Sequence, residues 1–164
     1  MGSSYTAEVL AQEELLGPSP IVPVDIAWYL DLKQPTSRPP AIDNEHIFLP
    51  LVDGTLLALK LDTGAQLWSR HRPVQGQLVT DNGLLFVMYD QLLIAFDGPS
   101  GRLMWTHHLN ASVMTNPVVS NGWLLLGLSD RTLVALRATD GQELWRHRLG
   151  FNVTANPSIS GGRV

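Results

Sequence analysis

Four of the five tryptophans recur at a nearly constant step. Trp28, Trp68, Trp105 and Trp145 are separated by 40, 37 and 40 residues, and Trp123 alone falls outside the series. A step of this size makes the chain an array of similar units rather than one irregular domain. Smaller residues keep the same step. Ala58, Ala95 and Ala135 each lie ten residues before a tryptophan, and Gly64, Gly101 and Gly141 each lie four before it. Asp53, Asp90 and Asp130 each lie five residues before the alanine. Downstream, Asn116-Pro117 follows Trp105 as Asn156-Pro157 follows Trp145. Pro40 holds the matching place after Trp28, but Thr80 replaces proline in the second copy.

The units divide the chain at residues 40–75, 76–112, 113–152 and an incomplete 153–164, behind a leader at 1–23. Each complete unit reads as about four strands. The first predicts strands at Pro40–Asp43, His46–Leu51, Thr55–Leu61 and Gln66–His71. The second predicts Gln77–Thr80, Leu84–Tyr89, Gln91–Asp97 and Arg102–His108. The third predicts Pro117–Ser120, Trp123–Leu128, Thr132–Arg137 and Glu143–Arg148, with Asn121-Gly122 as a hairpin signal.

Helical repeats of similar period need longer segments at 3.6-residue spacing, without a Gly or Asp turn every eight to twelve residues. Leu84-Leu85-Phe86-Val87-Met88 is apolar on both faces of a strand. Such a strand belongs to a sheet packed between two others. Composition agrees: 45% of residues are apolar and 16% are charged, against about 25% charged in an ordinary domain. Stacked four-stranded units of this length make an all-β fold, a β-propeller of antiparallel blades. No tryptophan is followed by aspartate, unlike WD40 units, and kelch units are longer.

The segments ALKLDTGAQLW, AFDGPSGRLMW and ALRATDGQELW resemble the quinoprotein-type repeat, also called PQQ-like or tryptophan-docking. Its motif is A-x-D-x-x-x-G-x-x-x-W. Ala95, Asp97, Gly101 and Trp105 fit every fixed position, while Lys60 and Arg137 stand where the other copies should have aspartate. The resemblance covers roughly residues 25–164 and implies structural roles for Ala58, Gly64, Trp68, Ala95, Asp97, Gly101, Trp105, Ala135, Gly141 and Trp145. Each tryptophan is expected to dock between adjacent blades. The glycine permits a positive φ in a tight turn. The alanine is expected to end a gap in which a neighbouring indole lies.

Three full blades and the start of a fourth do not close a ring. The expectation is a fragment of a seven- or eight-bladed propeller, or completion by a second chain. Val24–Leu32, around Trp28, reads as an outer strand completing a blade that lies beyond Val164. The third blade would then leave part of Leu124, Leu126, Leu128, Val134 and Leu136 to water. The leader at 1–23 reads as helical or disordered. Glu8, Glu13 and Glu14 interrupt its apolar residues, so no signal peptide is legible. No apolar run reaches the length of a membrane span.

Residues that could carry chemistry are few. The chain contains no cysteine, which removes thiolate metal sites, cysteine nucleophiles and a lipidation cysteine. His71, His107, His108 and His147 follow docking tryptophans on outer strands that diverge, so they do not converge on one metal. Arg70-His71-Arg72 and Arg146-His147-Arg148 fit edge-strand protection. Asp53, Asp90 and Asp130 fit turn hydrogen bonding. Asn110 and Asn152 begin Asn-x-Ser/Thr sequons, which count only in a glycosylating pathway. Eleven Lys+Arg against fifteen Asp+Glu argue against a nucleic-acid surface. No catalytic residue, cofactor or metal is expected.

Two functions follow from the resemblance. One is a non-catalytic scaffold like the BamB-type outer-membrane protein assembly factors, in the cell envelope or periplasm. Its partners would be other proteins at the blade loops, and the remaining blades of its own ring or a second chain. The alternative is a piece of a PQQ-dependent quinoprotein dehydrogenase, for which Trp123 is the one candidate to stack on a quinone.

Overall fold

The computed structural model describes residues 27–159. These contain three antiparallel meanders and no helix. The first sheet is β1 (Ala41–Ile42), β2 (His46–Pro50), β3 (Thr55–Lys60) and β4 (Gln66–His71), paired in chain order. The second is β5 (Val79–Asp81), β6 (Leu84–Tyr89), β7 (Leu92–Asp97) and β8 (Leu103–His108). The third is β9 (Val118–Ser120), β10 (Trp123–Gly127), β11 (Thr132–Arg137) and β12 (Glu143–Arg148). The chain is therefore all-β and built of propeller blades.

Turn chemistry sets these boundaries. Asn82-Gly83 and Asn121-Gly122 carry paired positive φ angles of 47° and 75°, and of 52° and 77°. That is the geometry of a two-residue hairpin whose twist suits the strands it joins. The first strand of each blade is shorter than its sequence pattern. Pro117 has no N–H to give to a ladder, so β9 begins one residue later.

Each outer strand is bulged at the same place. Ala58 pairs with Trp68 and Leu59 with Gln66, which leaves Leu67 as the extra residue. Met104 and Leu144 are its equivalents in the second and third sheets. The bulge turns these three apolar side chains outward, where they are exposed.

The second sheet is covered on both faces. Leu85, Val87, Ile94 and Phe96 pack with Phe48, Leu56, Ala58 and Trp68 of the first sheet. Phe86, Met88, Leu93 and Ala95 pack with Leu124, Leu126, Leu128, Val134 and Leu136 of the third. The last five side chains are thus buried against the second blade, at no more than 1% exposure, and are not the surface expected to be left to water. The reason is strand alternation: the opposite face of the third sheet is formed by Leu125, Gly127, Leu133 and Ala135.

Residues 27–32 form no continuous strand. Tyr29 sits in a single β-bridge, and Asp31 then turns the chain by accepting the Lys33 N–H at 3.0 Å. Trp28 is held instead by its side chain, as described below. Residues 153–159 contain no strand. The expected leader at 1–23, the beginning of Val24–Leu32 and the end of the fourth unit at 160–164 lie outside the described residues. Among the described residues no helix is long and apolar enough to cross a membrane.

Candidate functional site

The repeat motif builds one joint, used three times between successive units. Trp68 Nε1 donates to the Gly98 carbonyl at 2.7 Å, and Trp105 Nε1 donates to the Ala138 carbonyl at 3.0 Å. Trp28 Nε1 donates to the Leu61 carbonyl at 2.9 Å. The three acceptors occupy one position, three residues after Ala58, Ala95 and Ala135. Trp28 is therefore a docking tryptophan like the others and seats on the first sheet.

The glycine of the next blade makes room for the indole. A Cβ on Gly101 would lie 2.7 Å from Trp68 Cδ2, and one on Gly141 would lie 2.5 Å from Trp105 Cε3. Both distances are below any real carbon contact. Gly64, Gly101 and Gly141 also have φ of 66°, 65° and 72°. Their N–H groups close the β3–β4, β7–β8 and β11–β12 turns onto the Lys60, Asp97 and Arg137 carbonyls at 2.9, 2.7 and 2.8 Å.

The alanine has a different task from the one expected. Ala58, Ala95 and Ala135 are the cross-strand partners of Trp68, Trp105 and Trp145 in their own sheets. Cross-strand partners share a face, so a small residue there leaves space for the indole of its own blade. The neighbour's indole meets the glycine of the docking turn and, on the third strand, Phe96 rather than Ala95, which lies on the opposite face of the sheet.

The Asp position of the motif caps the same turn. Asp97 Oδ2 accepts the Ser100 N–H at 3.1 Å and also the Ser100 hydroxyl. The Ser100 hydroxyl is the main cause holding the Asp97 carboxyl below the ordinary aspartate range. Where the motif aspartate is missing, a cation pairs with an acid of the turn: Arg137 with Asp140 at 2.9 Å, and Lys60 with Asp62 at 3.5 Å. Asp140 also accepts the Gln142 N–H at 3.0 Å, the largest cause of its lowered pKa.

Asp53, Asp90 and Asp130 lie at three separate hairpins. Asp53 accepts the Thr55 N–H at 2.8 Å and the Gln34 amide at 2.9 Å. Asp130 accepts the Thr132 N–H at 3.2 Å. Asp90 adopts φ 54°, and its own N–H donates to Gln75 Oε1 at 2.8 Å. Among the described residues no three His, Asp or Glu side chains come together as a metal would require.

His71, His107, His108 and His147 lie on β4, β8 and β12. His107 Nε2 reaches across the seam to Glu143 at 3.9 Å, and Arg146 grips the same carboxylate at 2.8 Å. Trp123 is 37% exposed and meets Trp145 edge-on, with ring centroids 6.5 Å apart.

His46 is the residue that sequence reasoning passed over. It is buried in the first sheet beside Phe48, and Asp43 Oδ1 lies 3.0 Å from its Nδ1. The signal was Asp43 three residues before His46, where the aspartate closes a turn on the backbone N–H groups of Glu45 and His46 at 2.9 and 2.7 Å. His46 lines an open cleft of about 520 Å³ between the first and second sheets.

The sequence pattern of one family, described as outer membrane protein assembly factor BamB, matches residues 25–79 and 71–164. No curated protein matches the sequence. Among solved structures, BamB from Moraxella catarrhalis has a similar fold, with TM-score 0.65 and 18% identity over 82% of this chain and 47% of that one. The quinohemoprotein alcohol dehydrogenase ADHIIG from Pseudomonas putida HK5 has TM-score 0.56 and 20% identity over 71% of this chain and 21% of that one. The computationally designed Ika4 protein has TM-score 0.61 and 16% identity over 74% of this chain and 78% of that one. The chain spans less than half the length of the Moraxella protein and about a fifth of the dehydrogenase. At these identities the structural likeness establishes the fold, while the family pattern covers almost all of the chain. With its indoles docked from unit to unit, the chain belongs to the family of outer membrane protein assembly factor BamB, a family of PQQ-like propeller repeats.

Proposed function

We propose that this chain is a non-catalytic propeller scaffold for protein–protein interaction in the cell envelope, in the assembly of outer-membrane proteins. The observation that carries this reading is the family match over residues 25–79 and 71–164. The use of the motif residues supports it. Trp28, Trp68 and Trp105 each give their one N–H to a backbone carbonyl of the next unit, so their chemistry is absorbed in joining blades. The loops between strands lie at the surface of the blades and are what is offered to partners. The partners are other proteins at the blade loops, with further blades of the same ring or a second chain covering the outer faces.

A piece of a quinoprotein dehydrogenase is the second reading. It draws on the fold shared with the alcohol dehydrogenase and on Trp123, whose indole is 37% exposed. Titration with pyrroloquinoline quinone and calcium separates the two. The scaffold reading expects tryptophan fluorescence and melting temperature to stay unchanged. A saturable quench, lost in Trp123→Ala, would establish the dehydrogenase reading.

A further inference from the structure

Among the described residues, four docking tryptophans face three seats, and all three seats are filled. Trp28, Trp68 and Trp105 donate to the Leu61, Gly98 and Ala138 carbonyls. Trp145 is the fourth, and its Nε1 donates to no group among the described residues. No buried side-chain nitrogen there lacks a partner, so this N–H is open to solvent. It belongs to the face of the third sheet turned away from the second. Trp123 lies edge-on to it there, at 6.5 Å between ring centroids.

The molecule itself shows twice what covers such a face. The equivalent face of the first sheet packs on the second sheet, and that of the second packs on the third. In both seams the residue two after the tryptophan also crosses. Arg70 Nε lies 3.1 Å from the place of a Cβ on Gly101, and His107 Nε2 lies 3.9 Å from Glu143. His147 holds that position after Trp145, is exposed, and has no partner among the described residues. The third unit therefore repeats the docking set of the first two, with no described sheet against it.

Only the first seat is filled from outside a sheet. Trp68 and Trp105 stand on the six-residue strands β4 and β8, whereas Trp28 comes from a segment with a single β-bridge. The seat is otherwise alike, with Gly64 at φ 66° in the place of Gly101 and Gly141. Gln66 stands in the register of Glu143, where the crossing His147 would arrive. We infer that the partner of the Trp145 face is a second copy of this chain. The face seats at the second copy's Leu61 carbonyl, and Trp28 holds that seat closed in cis. One glycine seat takes one indole, so Trp28 and Trp145 exclude each other. Leu57 and Leu59, on the face of the first sheet away from the second, are fully buried with Trp28 in place. Exchange therefore requires Trp28 to leave, and a tethered tryptophan competes at about millimolar effective concentration. The contact is head-to-tail, so it closes a ring or extends. The inference deepens the scaffold reading by naming what covers the outer face, and rests on it in taking these indoles as joints.

The test is sedimentation velocity of the full chain across micromolar concentrations. The parent is expected to stay monomeric. Trp28→Ala, which empties the seat, should associate at least about tenfold more tightly than the parent. Trp28→Ala/Trp145→Ala should be monomeric again. In the Trp28→Ala assembly the Trp145 indole N–H, followed by NMR, should become protected from solvent exchange. A monomeric Trp28→Ala chain overturns the second copy as partner. Association undiminished in the double variant, or an unprotected Trp145 N–H, shows that another surface or misfolding drives it and overturns the inference. A parent that associates as tightly as Trp28→Ala overturns the closed seat. Failure of the scaffold reading would appear separately, as a quinone response of the parent chain that is lost in Trp123→Ala.

Discussion

Trp68 of the first blade reaches the Gly98 carbonyl of the second with its indole N–H, at 2.7 Å and across thirty residues of sequence. The indole is 9% exposed and lies against both Phe48 and Phe96, at centroid distances of 6.0 and 6.5 Å. One side chain thus joins two sheets through a hydrogen bond and through packing. Trp68→Phe should cost about 1–3 kcal/mol, since it leaves a carbonyl without its donor. Trp68→Ala should cost about 3–5 kcal/mol through the added cavity. Urea denaturation of each variant measures both values, and an undiminished stability of Trp68→Phe would show that the hydrogen bond contributes nothing.

The docking glycines can be separated from ordinary turn glycines. Gly141 and Gly122 both have positive φ, at 72° and 77°, but a Cβ on Gly141 would strike Trp105 whereas one on Gly122 meets nothing within 4 Å. Gly122→Ala should cost about 1 kcal/mol for the backbone conformation alone. Gly141→Ala should cost at least about 2 kcal/mol more, because Trp105 must leave its seat. A blue-shifted indole emission lost only in Gly141→Ala would identify the displaced ring. Equal melting temperatures for the two variants would contradict this account.

Thr115 tests a buried polar link between the segment before β9 and the third sheet. Its Oγ1 accepts the Gly127 N–H at 3.0 Å, and the residue is 8% exposed. Thr115→Val keeps the shape and removes the acceptor, with an expected loss of about 1–3 kcal/mol. Thr115→Ser should retain most of the stability. Hydrogen exchange at the Gly127 amide gives a local reading and should accelerate in the valine variant alone.

Glu143 gives the seam between the second and third sheets a weak acid dependence. The Arg146 guanidinium is the main cause that holds its carboxyl below the ordinary value of 4.5, and His107 adds a smaller effect. A depressed carboxylate contributes stability that is complete above its unfolded pKa. The contribution falls away as pH drops through the folded value, so the loss is confined to acid below that of a free glutamate. The pair is partly solvated, so its contribution is at most about 0.5 kcal/mol. Glu143→Gln should therefore melt slightly lower at pH 7, with the difference shrinking as pH falls through the folded value. A difference that does not shrink in acid would assign the effect to packing.

Much of the fold was legible in the chain because its determinants are local. The tryptophan step, the Asn-Gly hairpins and the two-faced apolar run Leu84–Met88 each act within a few residues, and together they specify four-stranded blades. Sheet stacking decided the rest. The choice of which leucines face the second blade depends on strand phase, and the outer-strand bulge beside Ala58, Ala95 and Ala135 shifts register in a way no local pattern displays. The seating of each indole on glycine, the docking of Trp28 on Leu61 and the burial of His46 behind Asp43 follow from surfaces thirty or more residues apart, or from turns folded against them. The sequence by itself determined the repeating unit, since hydrogen-bonded turns and period-two strands are short-range. Only the tertiary structure decided how one unit grips the next and what lies in the cleft between them, because those contacts exist only once the sheets are stacked.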